Sequence, residues 1–135
     1  MLQTPHSPRE LGLSWQLAEM FRAEIYRLVF GSAEANSDLK YRSQILEAAD
    51  GVGVNVEEGF LRWSPPDFCR FLDYALSSLG EAESRLKNGI HRSYFDASSC
   101  HEAFLLARRA LTAIVRLKQS QKRRIAEQRR KGKKR

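Results

Sequence analysis

Glu57, Glu58 and Glu81 are the carboxylates whose spacing could bring acid–base or metal chemistry together, because helical bundles build such sites from inward-facing glutamates with Glu-x-x-His pairs. No Glu-x-x-His occurs in the chain. His6, His91 and His101 fall in the N-terminal arm, after the third helical segment and at the start of the fourth, none at ligand spacing to another His or to a Cys, so neither metal nor cofactor is expected. Cys100 beside His101 offers a thiol with a base next to it, yet one cysteine at a helical core position serves packing. Gly51-Val52-Gly53 lacks the Lys-Ser and the strand-to-helix setting of a phosphate loop. No catalytic residue is assigned, and the expected protein is not an enzyme.

Cations carry the other chemistry, and they are unevenly placed. Of 23 Lys and Arg, eleven lie between Arg116 and Arg135 beside a single acid, Glu127, a local net of +10. Met1 to Val115 keeps 12 basic and 15 acidic residues, a net of −3. A near-neutral body with a basic arm reads as an arm that seeks a polyanion, with a merely solubilising tail as the alternative. Lys118, Lys122, Arg123, Arg124, Arg129, Arg130, Lys131, Lys133, Lys134 and Arg135 are the candidate phosphate contacts, with salt-dependent binding from counterion release. No aromatic residue lies among them, so sequence specificity is expected to be weak. Arg62 and Trp63, at the turn after the second helical segment, are a second candidate contact, with capping of the core or a subunit interface as the alternative for Trp63.

The elements that must carry these residues read as four helices. Ser7-Pro8-Arg9-Glu10 is a capping-box start, followed by a stripe of Leu11, Trp15, Ala18, Phe21 or Arg22, Ile25, Leu28 and Val29 ending near Gly31. Gly31 to Ser37 reads as a connection, with Ser37 or Asp38 as the next cap. The second helix spans Asp38 to about Phe60 with Leu39, Ile45, Ala48, Ala49, Val52, Val56 and Gly59 on one face. Gly51, Gly53 and the alternating valines add a hint of strand against it. Ser64-Pro65-Pro66-Asp67 starts the third, whose stripe is Phe68, Phe71 or Leu72, Ala75, Leu79, Ala82 and Leu86, with Asn88-Gly89 as its stop. Ser93 or Asp96 starts the fourth, with Cys100, Phe104, Ala107, Leu111, Ile114 and Val115 inward. The expectation is an all-α, antiparallel up-down-up-down four-helix bundle over residues 1–117, with 118–135 a basic C-terminal extension, partly helical and fraying into disorder near Gly132. No exported leader or membrane span is expected, which makes the cytoplasm the expected location.

Gln44, the Ala48-Ala49 pair and Asn55-x-x-Glu58-Gly59 resemble the second-helix motif of the rRNA intervening-sequence four-helix-bundle family. Phe68, Phe71-Leu72 and Ala75-Leu76-Ser77-Ser78-Leu79-Gly80-Glu81 are similar to the family's third helix, and Trp15 to Tyr26 to its first. Glu47 stands where the family usually has Arg, Gly51 where it has Ser, and the family's Phe-Pro turn before the second helix is missing. The resemblance implies a bundle forming ring-like homo-oligomers, pentamers among them, without established enzymatic activity. Similar bundles serve as accessory subunits of reverse transcriptases in diversity-generating retroelements, the accessory variability determinants, where a basic surface contacts nucleic acid and polymerase. The expected partners are therefore nucleic acid, RNA ahead of DNA, further copies of the chain, and as an alternative a reverse transcriptase.

A hairpin of the second and third helices turning near residues 62 and 63 would face positions whose numbers sum to about 125. Gln44 then meets Glu81, Asn55 meets Arg70, and Ala48 and Gly51 meet Ser77 and Tyr74, small against larger. Gln44, Asn55, Glu58, Gly59 and Glu81 are on this reading structural, their polar members pairing across the hairpin or capping its turn.

Overall fold

The structure, a computed structural model, describes residues 8–133, with side chains from residue 12 onward. The cap at Ser7, its box partner's side chain at Glu10, the Leu11 side chain, Lys134 and Arg135 lie outside the described residues. Those residues are helical with no strand: α1 (Pro8–Gly31), α2 (Ala33–Ser37), α3 (Leu39–Phe60), α4 (Pro65–His91), a 3-10 turn (Ala97–Cys100) and α5 (His101–Lys133). Each long helix packs on two others, α1 on α3 and α5, α4 on α3 and α5. Between them lie Phe21, Ile25, Ile45, Phe68, Leu72, Leu79, Leu86, Ile114 and Leu117, all fully buried.

The buried face of α1 is the expected one from Ala18 onward and departs from it at Trp15. Ser14, Leu17, Ala18, Phe21, Ile25, Leu28 and Val29 are inward, whereas Trp15 is 39% exposed and its indole donates to Glu57 Oε1 on α3 at 2.5 Å. The indole N–H needs an acceptor, which a rim position supplies and an apolar core does not. Gly31 to Ser37 is more than a connection: Ser32 accepts from the Ala35 amide at 3.2 Å and starts α2, which buries Ala35. Asp38 caps α3 through the Tyr41 amide, and Leu39, expected inside, is 69% exposed.

α3 stays helical through Gly51 and Gly53, with Val52 and Val56 buried and Val54 outside. The glycines serve close approach. A Cβ on Gly51 would come within 2.7 Å of Ser78 Oγ, and one on Gly59 within 2.7 Å of the Phe68 ring. Gly51 thus faces Ser78 where Tyr74 was expected, a register shifted by about one turn. Ser64 precedes Pro65 as expected, but its side chain makes no capping bond.

α4 continues past Asn88-Gly89 to His91, because the stop lies further on. Ser93, at φ 63°, sends its amide to Ile90 O, and Tyr94 sends its own to Gly89 O at 2.8 Å, the paired bonds of a Schellman ending with Ser in the position that glycine usually fills. This ending aims Tyr94 and Phe95 back onto α3. Tyr94 packs edge-on against Tyr41 and donates to Asp38 Oδ2 at 2.6 Å. That bond, together with the Tyr41 amide, holds the Asp38 carboxyl below its ordinary range. Tyr41 in turn donates to the Arg85 carbonyl at 2.7 Å, and burial pushes its phenol well up, so it remains a donor.

The 3-10 turn that follows Asp96 buries the expected Cys100, and α5 buries Ala103, Leu106, Ala110, Ala113 and Leu117 besides the expected Ala107 and Ile114. Phe104, Leu111 and Val115 are only half-buried, flanking that face. The buried stripe runs past Leu117: Gln121 is fully buried, with neither amide atom hydrogen-bonded among the described residues. An unpaired buried amide costs about 1–3 kcal/mol. Gln121→Met, near in volume and free of polar atoms, should raise stability by about that amount in urea unfolding. A loss of stability would mean that the amide has a partner in solution.

Candidate nucleic-acid interface

Lys118 is not free. Its Nζ lies 2.5 Å from Asp73 of α4, and its carbonyl accepts from Cys69 Sγ at 3.9 Å. Lys122, Arg123, Arg129, Arg130, Lys131 and Lys133 are exposed, while Arg124 is half-buried; Lys134 and Arg135 lie outside the described residues. The helix continues through Gly132 to Lys133, where fraying was expected. At 3.6 residues per turn, Lys122, Arg129 and Lys133 share one side, Arg123 and Arg130 a second, and Arg124 and Lys131 a third. Gln121, Ile125 and Gln128 form a neutral stripe continuing the buried face.

The second of these sides does not end with the arm. Arg109, Arg116, Arg123 and Arg130, seven residues apart and all exposed, form one row down α5, about 32 Å long at 1.5 Å per residue. Its upper part borders a groove of about 450 Å³ between α1 and α5, floored by Leu13, Leu17 and Ala113 and rimmed by Arg108, Arg109 and Arg116. Dividing the charge at Arg116 misses Arg108 and Arg109. The signal that finds them is the seven-residue recurrence, two helical turns, of one residue type.

Charge partners set this row apart. Arg22, Arg27, Arg62, Arg70, Arg85 and Arg92 each have a carboxylate within 4 Å. Among the described residues, none of Arg108, Arg109, Arg116, Arg123 and Arg130 does. Glu19, Glu24, Asp38, Asp50, Glu58, Asp67 and Glu81 pair with arginines outside α5 and Asp73 pairs with Lys118, so these five arginines of α5 make no ion pair among the described residues, with Glu127 standing between Arg123 and Arg130.

The polar motif residues lie elsewhere. Asn55 donates to the Gly51 carbonyl at 2.7 Å within α3, Glu58 pairs with Arg62 at 3.5 Å, and Glu81 with Arg85 at 3.9 Å. Gln44 is half-buried. The expected pairing across the hairpin does not form: Glu81 is taken by its own helix, and Arg70 pairs with Asp67. Gly59 has the clearest structural task, admitting Phe68 and Phe71 against the α3 backbone. Glu57 holds the Trp15 indole, away from Glu81. Among the described residues no three His, Cys, Asp or Glu gather as metal ligands, and no helix is long and apolar enough to cross a membrane. Cys69 and Cys100 are free and buried, and burial pushes both thiols up, away from the thiolate that a nucleophile needs.

The class so defined is an all-helical domain with one long helix carrying a row of exposed arginines that make no ion pair among the described residues. The model of the family described as 23S rRNA-intervening sequence protein matches residues 13–116, and the chain belongs to that family. Neither a curated protein nor a solved structure matches the chain.

Proposed function

We propose that this chain is a non-enzymatic nucleic-acid-binding accessory protein. It is an up-down-up-down antiparallel four-helix bundle whose last helix runs on as a basic extension that holds phosphates. The observation that carries this reading is that Arg108, Arg109, Arg116, Arg123 and Arg130 of α5 form no ion pair among the described residues, whereas six arginines elsewhere in the body do. Cations left free in water are the ones that can exchange counterions for phosphates. RNA ranks ahead of DNA on the family's association with rRNA insertions. On the same reading copies of the chain assemble, in a ring of five on the family resemblance. Leu13, Met20, Phe30 and Val54, each about half exposed, supply apolar surface outside the basic end, and several arms on one particle would add avidity. The apolar floor of the α1–α5 groove favours a second reading, an accessory subunit seated on a reverse transcriptase through an acidic, partly apolar segment of that enzyme.

Fluorescence anisotropy with one generic RNA and one generic DNA at two salt concentrations tests the first reading, comparing the full chain with one ending at Ile125. That end point keeps the Lys118–Asp73 pair and buried Gln121, which a cut at Leu117 would remove. The full chain should bind both polymers, more weakly at high salt, and the shortened chain should lose most of that affinity. Equal binding by the two chains would move the interface off the arm. No binding by either would leave the protein-partner reading.

A further inference from the structure

The loop between α3 and α4 lies at the end of the domain from which α5 departs. Lys118 touches both Cys69 and Asp73, and α4 and α5 run in opposite directions from there, α4 toward Gly89 and α5 back toward Phe95, which meet at the other end. The start of α4 at Pro65, one turn before Cys69, is therefore level with Gln121 and Lys122, where the exposed cations of the basic arm begin. Just ahead of Pro65 stands Trp63, 53% exposed, beside Leu61 at 68%. The indole stays outside the core, whereas Pro65 and Phe68, which follow it in the chain, are buried. Arg62 stacks instead on Phe71, 4.7 Å from the ring centroid, leaving the loop with an aromatic face and cations close by.

Resting on the nucleic-acid reading above, we propose that Trp63 is a stacking platform for an unpaired base of a single-stranded nucleic acid whose phosphates are held by α5. Charge selects this occupant over a second protein. Contact centres between proteins are depleted in lysine, whereas this aromatic stands at the level where Lys122 opens the run of exposed cations on the arm. An arm of cations without aromatics grips a backbone and reads no base; an indole at its root adds the sequence-tolerant stacking that favours an unpaired strand over a duplex, whose bases are already stacked.

The test uses the full chain, Trp63→Ala and Trp63→Phe, with a single-stranded RNA and a duplex of the same length at fixed salt. Sedimentation is measured alongside. Trp63→Ala should weaken single-strand binding by about 5- to 100-fold, leave duplex affinity and the salt slope unchanged, and Trp63→Phe should restore most of the loss. Equal loss on both probes, or none on either, overturns the stacking role while salt-dependent binding by the unaltered chain upholds the nucleic-acid reading. A change in particle size in Trp63→Ala assigns the indole to a subunit contact and overturns the proposal. Failure of the unaltered chain to bind either probe removes both readings.

Discussion

Gly89→Ala should destabilise the domain by about 1–3 kcal/mol, while Gly80→Ala, nine residues earlier on the same helix, should stabilise it by about 1 kcal/mol. At Gly80 a Cβ meets nothing within 4 Å, so the helix gains alanine's better propensity. At Gly89 the same carbon would lie 2.5 and 2.8 Å from Phe95 ring atoms and would press on the Tyr41 hydroxyl. Neither can yield freely. Phe95 is fixed by the α4 ending, and the hydroxyl is bonded to the Arg85 carbonyl. Overpacking of this kind costs about 1–3 kcal/mol, and loss of the Tyr41 bond adds about 1, against about 1 gained in propensity. Urea unfolding of the two single variants decides it, and equal, mild effects would sink the packing argument. Tyr41→Phe in the Gly89→Ala background removes the atom in the way, so the double variant should recover part of the loss; simple additivity would show that Tyr41 is not the obstacle.

Gly89 also shows where a sequence is legible and where it is not. Asn-Gly in a helical pattern is a valid stop signal, and only the placement of Tyr41 and Phe95 from distant segments makes this glycine a packing residue. The long amphipathic stripes of α3 and α4 were readable because six or more residues agreed on one face, and the breaks at Asp38 and at Pro65-Pro66 carry local chemistry that distant contacts did not override. Trp15 was misread because periodicity counts it as apolar, while its N–H decides for the rim. The Schellman ending at Ser93 was hidden because a serine occupies the position where glycine would have announced it. For the candidate site, charge density located the arm but could not show which cations are neutralised. Lys118 looks the same as Lys122 in the sequence, and only the fold brings Asp73 to the first of them.

That distinction yields the prediction with the largest effect on binding. Replacing Arg109, Arg116, Arg123 and Arg130 together by Gln should lower the slope of log affinity against log salt by about 2.8 for a single strand, at about 0.7 per phosphate contact. Between 50 and 200 mM salt the unaltered chain would then lose about fifty-fold more affinity than the variant. Glutamine keeps arginine's helix propensity closely, and all four positions are exposed, so the fold should hold, as circular dichroism would verify. The informative comparison is with Arg123 and Arg130 replaced alone. If the ligand runs along α5 from the arm onto the body, the quadruple change should be about twice the double one, because each arginine releases its own counterions independently. If the two variants coincide, Arg109 and Arg116 contact no phosphate, and binding is confined to the projecting turns beyond Gln121. In that case the α1–α5 groove, with its apolar floor, would be left for a protein segment. The row's regular spacing makes the first outcome the expected one: a straight helix with one unpaired arginine every two turns offers a backbone the same contact on the body as on the arm.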